Sequence, residues 1–219
     1  MHQLPEDKEY VCYKKKINPT DFYKVDWDQL QYSLKGTCRN MQIWLSKWIT
    51  GFMGIRRHLC IIGYQTQTLF PRHSLPKNSD HIIRCRSNSA YDLRKTEWMV
   101  LADDMLQRQG CPMLIQLLCS HLEAWYSQSQ VPSLLEYLRP YQSLIIQQSI
   151  PGWVNVFHGL LSTHWHSIQQ AYLRKIWARI SPSRWIAALQ RRIWIIAWKM
   201  WKDIGISVSI TSRSCRHTK

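Results

Sequence analysis

Trp194, Trp198 and Trp201 recur at i, i+4 and i+7, a spacing that puts three indoles on one strip of a helix. Arg184, Arg191 and Lys202 project within about 20° of one another beside that strip. Arg192 and Lys199 add charge to the same helix. Indoles stack on nucleobases or settle among lipid head groups, and guanidinium and ammonium groups neutralise phosphates. Arg184, Arg191, Arg192, Trp194, Trp198, Lys199, Trp201 and Lys202 are therefore the candidate residues for binding RNA or another acidic surface. Trp185, Leu189, Ile193, Ile196, Met200 and Ile204 share a different side and form the expected buried face. The competing expectation is that the second Trp strip also packs on a helix of this chain, with Trp165 to Ile180 as its partner.

Other reactive side chains form no recognisable constellation. His81, Cys85, Cys111, Cys119 and His121 are zinc-type ligands, yet their spacing fits no compact zinc pattern and no Cys-x2-Cys occurs. His164 and His166 project about 200° apart on a helix and do not share a metal easily. Asp103 and Asp104 are adjacent, so their side chains diverge. There is no Gly-rich phosphate loop, G-x-S-x-G or H-E-x-x-H. These observations predict neither catalysis nor a cofactor or metal.

The charge is unevenly placed. The chain has 219 residues, 29 Lys and Arg against 14 Asp and Glu, a formal net charge of +15. After Glu136 the only acid is Asp203, facing the twelve basic residues between Arg139 and Lys219. Such a field favours phosphates, anionic lipids or acidic proteins, and it speaks to association more than to fold. Seven cysteines, an odd number without regular spacing, read as free thiols of a reducing compartment. Met1 to Tyr10 lacks an apolar signal core, so an intracellular protein of the host cytoplasm is expected, with the nucleus or a membrane surface as further locations. The apolar run Trp185 to Trp201 is interrupted by Arg191, Arg192 and Lys199, each costing roughly 2.5–3.5 kcal/mol at a bilayer centre. It is not expected to span a membrane.

The elements that would carry these residues are mostly helices. Leu30, Leu34, Cys38, Met41, Leu45, Trp48 and Phe52 trace one helical stripe, weakened by Gly36 in its interior. Leu59 to Gly63 and Ile206 to Ile210 read as short strands, and Gln65 to Ser89 as a polar loop. Helices are expected from Tyr91 to Gln109 and from Pro112 to Tyr126. Ser133 and Glu136 have capping-box spacing, and further helices run over 165–180 and from Pro182 to Ile204. The expected fold is mainly α, an irregular helical bundle with long polar loops and one or two short strands. It divides into an N-terminal lead-in and amphipathic helix (1–64), a polar loop or linker (65–90) and a helical region with the basic Trp-rich helix (91–219).

Twelve Trp with only eight Gly, against about 15 Gly at average usage, is the bias expected when a second reading frame restricts the codons. In size, charge and Trp content the chain resembles the small accessory proteins of viruses, among them the paramyxoviral C proteins read from an overlapping frame. Gln130 to Leu134, with Tyr137-Leu138 after it, is similar to the S-L-Q-Y-L-A box of the lentiviral infectivity factor, whose helix docks a ubiquitin-ligase subunit. Leu135-Glu136 stands where that box has glutamine, and the upstream His and Cys residues do not follow that family's H-C-C-H spacing. The resemblance implies a regulatory role toward a host. The function expected is thus a non-enzymatic accessory protein that binds RNA or another acidic surface through the 182–204 helix. The alternatives are a peripheral membrane protein anchored by that helix and an adaptor for a host protein.

Overall fold

The computed structural model describes residues 10–13, 15–50, 79–85, 87–127, 129–130 and 133–214, with the backbone alone at 50, 79–81 and 203–214. The described residues are 79% helical. Among the described residues there is no strand or sheet, only an isolated bridge between Val25 and Ser162. The strand expected at 59–63 lies outside the described residues. The one expected at 206–210 is helical instead, because the last helix continues to Ser214. Once nucleated, a helix gains one hydrogen bond for each residue it adds, and alternating β-branched residues do not outweigh that here.

The first long stripe is two helices. Asp26 caps α1 (Trp27–Lys35) by accepting the Gln29 amide at 3.0 Å, and Gly36 is its C-cap. The chain turns at Gly36 to Cys38 and restarts as α2 (Arg39–Thr50). The stripe survives the break: Leu30, Leu45 and Trp48 are buried, although Cys38 is exposed.

Ser79–Arg84 forms a short helix, α3, inside the segment expected to be loop; the polar average concealed Ile82 and Ile83, which are fully buried. Ser87 then caps α4 (Asn88–Gln107), and Pro112 opens α5 (Pro112–Ser127), both close to the expected bounds. Ser133 does cap a helix, but only a three-residue 3-10 turn, Leu134–Glu136. Next come α6 (Arg139–Ser149), a 3-10 helix (Trp153–His158), α7 (His164–Lys175) and α8 (Pro182–Ser214).

The C-terminal helix is the centre of the packing. Helices α1, α3, α4 and α7 and the Trp153–His158 turn all contact α8. Its face of Trp185, Leu189, Ile193, Ile196 and Met200 is buried as the period predicts, and one core cluster runs from Ile17 to Met200. Buried polar groups stitch the layers. Gln190 on α8 donates to the Gly159 carbonyl at 2.7 Å and accepts from Ser33 on α1. Gln148 on α6 accepts from Trp165 Nε1 at 2.9 Å and donates to the Leu160 carbonyl at 3.1 Å. Unpaired, each amide would cost about 1–3 kcal/mol; paired, it fixes register.

Candidate functional site

The eight candidate residues of α8 do not form one surface. Trp194 is 0% exposed and packed against Gly159, where a Cβ would stand only 2.7 Å from its ring. Trp198 and Trp201 are half-buried against the core, and Lys202 holds its ammonium 3.8 Å from the centroid of the Trp198 ring. The expectation of an open indole platform is thereby corrected. A strip at helical spacing is presented to solvent only where no neighbour covers it, and α8 has neighbours on several sides.

The cations of α8 are largely committed to the fold. Arg191 donates to the Gly36 carbonyl at 3.0 Å and to the Ala187 carbonyl at 3.1 Å, so it caps the C-terminal end of α1, where carbonyls lack helical partners. Lys199 Nζ lies 2.5 Å from Glu97 Oε1 on α4, and Arg192 lies 3.7 Å from the other oxygen of the same carboxylate, too far for a hydrogen bond. Glu97 is buried, so both cations serve to compensate it. Arg184 remains exposed and without an ion pair among the described residues.

What the helix loses, the turn before it supplies. Nine Lys and Arg and no acid lie between Tyr137 and Lys202. With Arg191, Arg192, Lys199 and Lys202 engaged as above, Arg139, Arg174, Lys175, Arg179 and Arg184 remain, all exposed and none ion-paired among the described residues. Arg174 and Lys175 close α7, Arg184 is in the first turn of α8, and Arg179 lies in the turn between the two helices. Trp177 sits in that turn at φ +52° and is 91% exposed. Sequence reasoning passed over it because the apolar period runs on through Ile176 and Ile180, which placed Trp177 within a helix. The helix stops at Lys175 instead. A Trp among four cations and no acids within eleven residues was the signal available.

The remaining chemistry is structural. Burial, and then the nearby charge of Glu123, pushes the Cys119 thiol up to about 11. The Cys111 thiol sits 3.2 Å from the Tyr141 hydroxyl, and burial raises that phenol well above its usual range. Among the described residues no three His, Cys, Asp or Glu side chains gather to hold a metal, and the His81 side chain lies outside those residues. His121 is buried and stacked on Trp153 with centroids 4.6 Å apart; desolvation lowers its pKa. Asp104 pairs with Arg108 at 3.0 Å and Asp103 accepts from Gln107, so each carboxylate is engaged by its own helix.

Open cavities flank α8 among the described residues. One of about 620 Å³ between α4 and α8 is lined by Asp103, Asp104, Arg108, Arg191 and Arg192, a mixture of signs that largely neutralises itself. The second, about 490 Å³, holds Asp26, Asp28, His166 and Ser183, with His166 Nε2 3.2 Å from Ser183 Oγ. Among the described residues no carboxylate hydrogen-bonds this imidazole, so the pair lacks the orienting group a Ser–His nucleophile needs. No described helix is long and apolar enough to cross a membrane. Set against known proteins, the chain matches no family model, no curated sequence and no solved structure.

Proposed function

We propose that this is a non-enzymatic accessory protein that binds an acidic macromolecular surface, with the cations of the α7–α8 turn as the contact. The observation that carries the reading is the set of five exposed basic side chains at Arg139, Arg174, Lys175, Arg179 and Arg184, none ion-paired among the described residues, within a stretch that has no acid. A merely solvated face normally mixes both signs. The composition, which resembles that of viral accessory proteins, adds a host-cell setting in which RNA, anionic membranes and acidic host proteins are all available.

The burial of Trp194 moves the proposed contact from α8 to the turn preceding it. The test is binding of the full-length protein to polyuridylate and to phosphatidylserine-containing vesicles as salt rises. Binding to at least one of them, weakened by salt and by Arg174→Glu with Arg179→Glu, is expected, since counterion release or charge attraction drives it. Binding to neither at low salt refutes the reading.

A further inference from the structure

The inference here rests on that reading and names the acidic surface. Helices α6 and α7 run antiparallel. At one end Gln148 accepts from Trp165 at 2.9 Å; farther along, Cys111 joins them, its Sγ 3.2 Å from the Tyr141 hydroxyl and its amide donating to Gln169 Oε1 at 3.0 Å. Continuing in that direction brings the start of α6 and the close of α7 to the same end of the pair. There Leu138 is 72% exposed, Ile176 40% and Trp177 91%. Arg139, Arg174, Lys175 and Arg179, their near neighbours in sequence, are exposed as well.

Trp177 is held by the backbone. Its amide donates to the Arg174 carbonyl at 3.2 Å, and the Ala178 amide closes the turn on the Leu173 carbonyl at 3.0 Å. A non-glycine residue rarely takes positive φ, so the conformation that projects this indole is set by the turn around it. We infer that this end docks on an anionic lipid bilayer, with Trp177, Ile176 and Leu138 at head-group depth and the four cations meeting acidic lipids.

Three features favour lipid over single-stranded RNA. Base stacking is built from successive aromatic faces, and the α8 indoles that would extend a series from Trp177 are buried or half-buried. Leu138 and Ile176 are aliphatic and cannot stack, but they partition readily into the boundary between head groups and acyl chains. Indole itself concentrates at that level. Glu136, exposed just before Leu138, subtracts one charge, and Asp26 and Asp28 line the cavity beside Ser181 and Ser183, so Arg184 is left out of the contact.

The experiment is flotation of the full-length protein with vesicles of phosphatidylcholine alone or mixed with phosphatidylserine, alongside polyuridylate binding. Flotation is expected only with the mixed vesicles. Trp177→Ser should lower partitioning about tenfold. Each charge removed, as in Lys175→Gln or Arg179→Gln, should lower it about fivefold. These side chains are exposed, so their variants should retain wild-type circular dichroism. Flotation insensitive to Trp177→Ser and Leu138→Ser overturns the docking geometry and leaves acidic-surface binding standing. Polyuridylate binding without flotation overturns the lipid assignment alone. Loss of both binding modes overturns the broader reading too.

Discussion

Lys199 on α8 places its ammonium 2.5 Å from a carboxylate oxygen of Glu97 on α4, a residue 102 positions earlier that is almost fully buried. The pair links two helices that pack against each other, and Arg192 approaches the second oxygen at 3.7 Å. A buried carboxylate is tolerable only with such compensation, and its removal strands two cations at a helix interface.

Glu97→Gln should therefore destabilise the fold by about 1–3 kcal/mol, below the range for a fully buried pair because Lys199 is partly solvated. Urea titration would show this as a lower midpoint with an unchanged slope. An unchanged midpoint would mean that the ion pair contributes nothing to cohesion.

Two tryptophans of one basic region should behave oppositely. Trp194→Ala removes a fully buried indole and should cost about 3–5 kcal/mol. Trp177→Ala, at an exposed turn, should stay within about 0.5 kcal/mol of the parent. Equal losses in thermal or chemical unfolding would contradict the burial pattern.

Gly159→Ala tests the closest approach in the core. A Cβ there would stand 2.7 Å from the Trp194 ring and 2.8 Å from Leu30, at a φ of +80° that disfavours a side chain. Overpacking and strain together should cost about 2–4 kcal/mol. A variant as stable as the parent would show that α8 and α1 can separate at this point.

Acid should weaken the protein through its buried imidazoles. His158 is buried with its Nδ1 3.0 Å from the Asn155 side-chain oxygen; desolvation, then the charge of Lys15, holds its pKa well below 6.5. Desolvation lowers that of His121 too. In both cases the folded state binds its proton at lower pH than the unfolded chain does. Their contribution is therefore fully present above the unfolded value of 6.5 and is lost as pH falls from there toward the folded pKa. For His158 the loss approaches about 1.4 kcal/mol per pH unit, and His121 adds to it in the same direction. Denaturant titrations between about pH 7 and about pH 5 should record it. Stability that stays flat over that interval would refute the assignment.

Much of the helical framework was readable before any coordinates. The 3.6-residue period identified the face of Trp185, Leu189, Ile193, Ile196 and Met200, Pro112 and Pro182 marked helix starts, and the scarcity of acids after Glu136, Asp203 alone, located the positive region. Those signals are local, arising from backbone geometry and residue type. The break at Gly36, the helix at Ser79–Arg84 and the extension of α8 to Ser214 were not legible, because each depends on competition between nearly balanced local preferences and distant contacts.

Residue types and their period specify a basic, tryptophan-rich helix and its most apolar face. Which of its side chains meet solvent is set by the helices packed around it. Periodicity describes one helix and cannot count its neighbours. With α1, α3, α4 and α7 around α8, Trp194 became core, Arg191 a helix cap, and Arg192 and Lys199 partners of Glu97. The exposed basic and aromatic surface passed to Arg174, Lys175, Trp177 and Arg179, where the α7 helix ends in a left-handed residue and the neighbouring elements leave the turn uncovered.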